Sequence, residues 1–162
     1  MNAKQMLSHP AHILALGFGS GLSPIAPGTV GTLWAWLSFV LLNPLLTEVH
    51  WGVLIVASLF IGWWSCMVTA EHMTVADPSY IVWDEVVAFW LVLFFIMPTG
   101  FWGQLLAFAL FRFFDTVKLG PVAWADQQFK GVGARGGFGI MFDDLIAAFC
   151  TLLVIAVWHS IF

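Results

Sequence analysis

The sequence predicts an all-α integral membrane protein with about five transmembrane helices and an N-terminal helix at the membrane interface. Hydrophobic residues make up 61% of its 162 residues and charged residues only 9%, whereas typical domains have about 45–50% and about 25%. Mean hydropathy is +0.96. A soluble domain of this size buries only ~70% of the surface that its unfolded chain exposes, so it could not hide this much apolar surface. We expect residues 1–162 to form a single membrane-embedded domain.

Five apolar runs approach the ~20 residues that a helix needs to cross a bilayer. Because they are continuously apolar, they favour helices over the alternating strands of a membrane barrel. Residues 4–18 precede them and are predicted to form a short interfacial helix, which ends where glycines interrupt the chain at residues 17–21. The five runs are residues 29–46, 51–70, 81–97, 101–114 and 140–162.

The basic residues predict the orientation. With five spans, four of the five basic residues fall on one side of the membrane, the fifth lies near its boundary, and the opposite side has none. Cytoplasmic loops are enriched in Lys and Arg, so we expect that side to face the cytoplasm. So few cations could not neutralise a nucleic-acid backbone, which excludes nucleic acid as a partner. The residues are Lys4, Lys118, Lys130 and Arg135, with Arg112 at the boundary.

Eight of the nine acids lie on or near the same side. Charges near a bilayer face are costly unless they pair, bind a metal or line a water-filled pocket. One alternative is helix capping, because residues 84–85 and 143–144 are predicted to lie in first turns, where the helix dipole favours acids. The convergence of several distant segments favours a functional site. These acids are Glu71, Asp77, Asp84, Glu85, Asp115, Asp126, Asp143 and Asp144.

A carboxylate cluster without convergent His or Cys favours a hard divalent ion, with Mg²⁺ as the first choice. Adjacent helical residues point ~100° apart, so Asp84 and Glu85 are expected to face different ways, one binding a metal and the other taking a second metal or orienting a water. Arg112 and Asp115 share a helix face, and Lys118 follows three residues later. Cations beside such acids fit a phosphate substrate, although Arg112 and Asp115 alone could form a simple intrahelical ion pair.

Two glycine-rich stretches flank the charged segments. The first, residues 17–31, ends where the first apolar run begins, and backbone amides at a helix start can bind phosphate. It lacks the Gly-Lys-Ser/Thr of a nucleotide-binding P-loop, and close helix packing explains it equally well. The second, residues 131–139, leads towards Asp143 and Asp144 and is predicted to form a mobile loop over the site.

These motifs together resemble the phosphatidylglycerophosphatase A family. The resemblance covers nearly the whole chain, and it implies a Mg²⁺-dependent phosphatase of the bacterial inner membrane that acts on the lipid phosphatidylglycerophosphate. The chain departs from the family where Leu119-Gly120-Pro121 follows Lys118 and where Gln127 follows Asp126. The matching blocks are residues 17–24 with Pro27-Gly28-Thr29, residues 81–85, Phe111-Arg112 with Asp115 and Lys118, and residues 136–141 with Asp143-Asp144.

The resemblance also implies a division of labour among the site residues, at the cytoplasmic face of a multi-pass protein. Asp84, Asp143 and Asp144 are expected to bind Mg²⁺. Arg112, Lys118 and Thr29 are expected to bind the substrate, and Glu85 or Asp115 to orient or deprotonate the attacking water. An aspartyl-phosphate intermediate stays open. The implied partners are the lipid substrate and membrane lipids, and the oligomeric state is open.

Two other classes of protein remain as alternatives. A transporter or proton relay also places acids in membrane helices, but it needs them near the midplane of the bilayer. A phospholipid-synthesising transferase would share the metal and the topology. That class carries an Asp-x-x-Asp-Gly-x-x-Ala-Arg run, which this sequence lacks.

Overall fold

A computed structural model describes residues 1–131 and 133–161, and within these residues it contains helices and no strand, which confirms the all-helical class. Val132, in the second glycine-rich stretch, and Phe162, the predicted end of the fifth apolar run, lie outside the described residues. The helices are α1 (Ala3–Met6), α2 (Pro10–Ala15), α3 (Pro27–Leu42), α4 (Glu48–Met73), α5 (Trp83–Ile96), α6 (Phe101–Val117), α7 (Pro121–Gln128) and α8 (Gly133–Ile161), with a 3-10 turn over Gly17–Leu22.

The N-terminal segment forms two short helices, so the prediction of one helix over residues 4–18 is wrong. Pro10 has no N–H and disfavours helical backbone in the residue before it. His9 is accordingly extended (φ −152°, ψ 137°), and its side chain caps α2 by accepting a hydrogen bond from the Ala11 N–H. His12 Nε2 lies 2.9 Å from His72 Nδ1, which attaches α2 to the end of α4.

Helix α5 is the centre of the bundle. All five apolar runs form helices, and α5 is the shortest of these, with 14 residues. It packs against α3, α4, α6 and α8, and nearly every residue from Trp83 to Leu93 is buried. A helix that is apolar all round is expected in such a position. As a consequence, the acids in its first turn, Asp84 and Glu85, lie inside the bundle at one end.

Helices α4 and α8, with 26 and 29 residues, are long and apolar enough to cross a membrane, and no other helix in the described part of the chain meets both criteria. Their most apolar windows are only 39% buried. Large side chains such as Val53, Phe60 and Leu153 therefore point outward, and an apolar surface of this extent indicates a membrane protein.

Helix α8 begins at Gly133, about three turns before Asp143. The predicted mobile loop is therefore wrong for residues 133–139, and Asp143 and Asp144 are not first-turn capping residues. The glycines here allow close packing. A Cβ on Gly137 would lie 2.7 Å from Met67 Cβ, and one on Gly139 would lie 2.5 Å from the Phe129 carbonyl oxygen.

Candidate active site

A cavity of about 400 Å³ opens at the end of the bundle where α5 begins. It is bounded by the start of α3, the segment before α5, the end of α6 and the middle of α8. All eight residues that the sequence singles out as site residues line it. They are Thr29, Asp84, Glu85, Arg112, Asp115, Lys118, Asp143 and Asp144.

Three of the acids form a buried cluster, which we call the acid triad: Asp84, Glu85 and Asp144. One carboxylate oxygen from each lies within 4.8 Å of the other two. The expectation that Asp84 and Glu85 face different ways is wrong, because the longer glutamate side chain can bring its carboxylate back towards that of its neighbour. The triad combines the first turn of α5 with α8, two helices that pack directly together.

The triad fits a divalent cation. Asp84 Oδ1, Glu85 Oε2 and Asp144 Oδ2 are buried, and none has a hydrogen-bond partner. Burying an unpaired carboxylate costs on the order of several kcal/mol, because the ion loses its hydration. A hard cation with oxygen ligands would provide the missing partner for all three. Although Asp84 and Glu85 do lie in the first turn of α5, these orphaned oxygens show that capping does not explain them.

Asp143 is not part of the triad and binds Lys118. Its Oδ2 accepts a hydrogen bond of 2.7 Å from Lys118 Nζ. The same ammonium group donates to Asp126 Oδ1 at 2.5 Å, and Asp126 Oδ2 also pairs with Lys130 at 3.0 Å. The structure therefore groups Asp84 and Asp144 with Glu85, whereas the sequence grouped them with Asp143.

This ion-pair network fixes the charge of Lys118. Burial by itself would lower the pKa of Lys118, but the hydrogen bonds to Asp126 and Asp143 outweigh it and raise the pKa above its ordinary value. Burial would likewise raise the pKa of Asp126, but the hydrogen bonds from Lys118 and Lys130 lower it below its ordinary value. Lys118 is therefore a permanent cation whose charge is already balanced by two carboxylates.

Arg112 connects the triad to the neighbouring helices. Its Nη1 pairs with Asp115 one turn further along α6, so the intrahelical ion pair is present. Nη1 also lies 3.6 Å from Glu85 Oε1 and 3.4 Å from Thr32 Oγ1 on α3. Its Nε is buried without a hydrogen-bond partner. An ion pair alone would need none of the contacts to α3 and α5, so the guanidinium is held towards the cavity.

The first turn of α3 forms one wall of the cavity. Ala26, with left-handed backbone (φ 47°), and Pro27 begin the helix without a side-chain cap. The N–H groups of Gly28 and Thr29 therefore have no acceptor within the helix. Together with the helix dipole, such N–H groups favour an anion.

Gly28 allows this wall to approach the acids. A Cβ at this position would lie 2.1 Å from Glu85 Oε1 and 3.2 Å from both Nη atoms of Arg112. The earlier part of the first glycine-rich stretch serves packing, since a Cβ on Gly21 would lie 2.1 Å from the Tyr80 carbonyl oxygen. Only the end of that stretch reaches the site.

Sequence reasoning missed three features of the site. Thr32 contacts Arg112, and its place one turn after Gly28 on α3 was the available signal. Asp126 binds Lys118, but the two residues are eight positions apart and lie on either side of the break between α6 and α7, so no helical spacing rule predicts the pairing. The third is the steric role of Gly28, which only its distance to Glu85 reveals.

Comparison with known proteins agrees with this geometry. A sequence model of the family described as phosphatidylglycerophosphatase A matches residues 13–159. The chain is 41% identical to phosphatidylglycerophosphatase A of Escherichia coli over 142 residues, which cover 87% of this chain and 78% of the relative. It is 40% identical to the protein of that name from Haemophilus influenzae, with coverage of 94% and 90%.

A third relative, from Bacteroides thetaiotaomicron, is provisionally named a phosphatidylinositol-3-phosphatase and is 37% identical, with coverage of 90% and 91%. No solved structure matches the chain. Since the family model spans most of the sequence and two relatives reach about 40% identity, the chain belongs to the phosphatidylglycerophosphatase A family.

Proposed function

We propose that this protein is a Mg²⁺-dependent lipid phosphatase that hydrolyses phosphatidylglycerophosphate to phosphatidylglycerol and phosphate. The observation that carries the proposal is the acid triad with its three orphaned oxygens, beside Arg112 and an uncapped helix start in one cavity. Carboxylates for a metal and cations for a phosphate are the parts that hydrolysis of a phosphate monoester requires. Membership of the family supplies the lipid substrate.

Asp84, Glu85 and Asp144 would hold the Mg²⁺ ion. When bound there, the ion would offset the negative charge of the phosphoryl group during its transfer. Asp143, expected from the sequence to be a metal ligand, instead holds Lys118 at the edge of the cavity.

Arg112 and the start of α3 would bind the phosphate of the substrate. A guanidinium can donate two parallel hydrogen bonds to phosphate oxygens. The Nε of Arg112 has no hydrogen-bond partner and is available as one of the donors. The N–H groups of Gly28 and Thr29, with the Thr29 hydroxyl, would complete the oxyanion contacts from the adjacent start of α3. Lys118 is already bound to two carboxylates, so we assign phosphate binding mainly to Arg112.

Asp115 would orient the attacking water, since Glu85 belongs to the triad. The water oxygen forms a bond to phosphorus as the bond from phosphorus to the glycerol oxygen breaks. One proton passes from the water to the Asp115 carboxylate, which then releases it to solvent, and the departing glycerol oxygen takes up a proton from solvent. Arg112 fixes the position of Asp115 through their ion pair.

We place the site at the cytoplasmic face of the bacterial inner membrane, in a chain that crosses the membrane five times. The basic residues beside the cavity support this side. Helices α3, α5 and α6 have 16, 14 and 17 residues, or about 24, 21 and 26 Å at 1.5 Å per residue. They are shorter than the ~30 Å hydrocarbon core, which agrees with a site set slightly below the membrane surface.

Phosphate release by the purified protein tests the proposal. We expect release from phosphatidylglycerophosphate with Mg²⁺, loss of release with EDTA, and recovery on adding Mg²⁺ again. Phosphatidylinositol 3-phosphate should be assayed in parallel, because one relative carries that name. Faster release from that lipid would change the proposed substrate. Absence of release from both lipids, by a folded protein, would favour the transporter or transferase alternatives.

A further inference from the structure

A second cavity, which we call the tail groove, runs down the outside of the bundle between α3 and α6. Its volume is about 510 Å³, and apolar side chains line most of it. Leu33 and Leu37, on its α3 side, are 47% and 52% exposed, so the groove opens outward from the bundle. The lining residues are Leu33, Trp36, Leu37, Val40, Phe101 and Gln104.

The tail groove continues the active-site cavity on the same two helix faces. On α3, Leu33 and Leu37 follow Thr29 at intervals of four residues, which places all three on one face. On α6, Gln104 lies two such intervals before Arg112. Thr29 and Arg112 line the active site, while Leu33, Leu37 and Gln104 line the groove. One surface strip therefore leads from the phosphate-binding residues into the apolar groove.

Aromatic contacts hold the groove in shape. Helix α3 packs along α5, and Trp36 bridges it to α6. The Trp36 ring stacks on Phe101 and on Phe108, each at 5.7 Å between ring centroids. Its Nε1 donates a hydrogen bond of 2.7 Å to Gln104 Oε1. The Trp36 indole thus satisfies the polar end of Gln104, and the floor of the groove presents mainly apolar surface.

The length of the strip matches one leaflet of a bilayer. The distance along α3 from Thr29 to Val40 is about 16 Å at 1.5 Å per residue, and half of a ~30 Å hydrocarbon core is about 15 Å. We infer that the tail groove holds one acyl chain of the phospholipid whose headgroup phosphate lies in the active-site cavity. This inference rests on the proposed function and specifies how the lipid is presented to it.

The role of the groove is alignment. Inside a bilayer an acyl chain gains no hydrophobic free energy by moving from lipid to protein, because both surroundings are equally apolar. A chain seated between α3 and α6 instead fixes the direction from which the headgroup enters the cavity. Misplacing a reacting group by ~1 Å can cost about 100-fold in rate. The groove should therefore affect turnover of the diacyl lipid and leave turnover of the bare headgroup unchanged.

Leu37→Trp tests this by narrowing the groove from an outward-facing position. Leu153→Trp is the matched control, because Leu153 is 47% exposed and lines a different apolar cavity of about 560 Å³ between α5 and α8. Both variants and the parent are assayed with Mg²⁺ on vesicle-borne phosphatidylglycerophosphate and on the same headgroup with both acyl chains removed.

We expect Leu37→Trp to lower kcat/KM on the diacyl lipid at least about tenfold, with less than about twofold change on the deacylated headgroup. Leu153→Trp should change neither by more than about twofold. Equal losses on both substrates, no loss on the lipid, or an equal loss in the control would each overturn the inference. Thermal melting of the three proteins shows whether the folded state is preserved.

Photo-cross-linking decides the question independently of turnover. A diacyl phosphate monoester lipid with a diazirine in one chain should label peptides from α3 and α6 in the tail groove. Unlabelled lipid of the same headgroup should compete strongly, and phosphatidylethanolamine should not. Equal competition by both would mean that bulk lipid fills the groove, which overturns the inference. If the labelling is specific but neither substrate is hydrolysed, the proposed hydrolysis fails while the lipid site stands.

Discussion

Gly28→Ala probes the closest approach of backbone to the acid triad. The added Cβ would lie 2.1 Å from Glu85 Oε1, whereas real contacts of this kind are rarely under 3.0 Å. The Glu85 carboxylate must therefore move by about 1 Å from the position in which it meets Asp84 and Asp144. A displacement of ~1 Å at a reacting centre costs about 100-fold in rate, equivalent to about 2.7 kcal/mol of transition-state stabilisation.

The assay is kcat/KM for phosphate release from phosphatidylglycerophosphate, together with the melting temperature of the detergent-solubilised protein. Gly52→Ala is the control, because Gly52 lies in α4 and a Cβ there would meet nothing within 4 Å. We expect Gly28→Ala to lose about 100-fold in kcat/KM. Gly52→Ala should lose no activity, and its helix should gain up to about 1 kcal/mol in stability. Near-normal turnover by Gly28→Ala would refute the view that Glu85 must stay in place.

Three further predictions follow from the charged groups. Asp84→Asn and Asp144→Asn should each abolish phosphate release. Mg²⁺ should raise the melting temperature of the parent but not of these variants, because each variant has lost a ligand of the ion. A normal Mg²⁺-dependent shift in either variant would show that the replaced residue does not bind the ion. Arg112→Lys should lose at least about tenfold in kcat/KM, since Lys binds phosphate only as a point charge. Lys118→Arg should lose less kcat/KM than Arg112→Lys. A larger loss in Lys118→Arg than in Arg112→Lys would assign phosphate binding to Lys118. Asp126→Asn should cost up to about 1 kcal/mol at pH 7. Because the pKa of Asp126 is lowered in the fold, this cost should shrink as the pH falls below the ordinary aspartate pKa of about 3.9. Melting curves at pH 7 and about pH 3 check this prediction, and a constant difference would contradict the pairing.

The class of the fold could be predicted from the sequence because it depends on composition and on run length. Continuous apolar runs leave the backbone no choice but to satisfy its hydrogen bonds within helices. Each of the five runs forms a helix, with ends that differ from the prediction by at most four residues, apart from the start of α8. Local chemistry also decides some boundaries, as Pro10 does at the start of α2.

The start of α8 could not be predicted in this way. Gly136, Gly137 and Gly139 have low helix propensity, so the sequence favoured a loop. In the fold these residues are helical, because without side chains they pack directly against Gly131, Met67 and Phe129 respectively. A local preference of about 1 kcal/mol per glycine is outweighed by contacts that exist only after α4, α7 and α8 have assembled.

The sequence by itself determined that the acids gather at one end of the bundle, since apolar runs of similar length place their polar ends at the same depth. Only the tertiary structure decided which acids meet. Glu85 joins Asp84 and Asp144, while Asp143 turns to Lys118. The physical reason is that neighbours on one helix are separated by fixed angles, but the partners of each side chain come from other helices, and their approach depends on packing that no spacing rule contains.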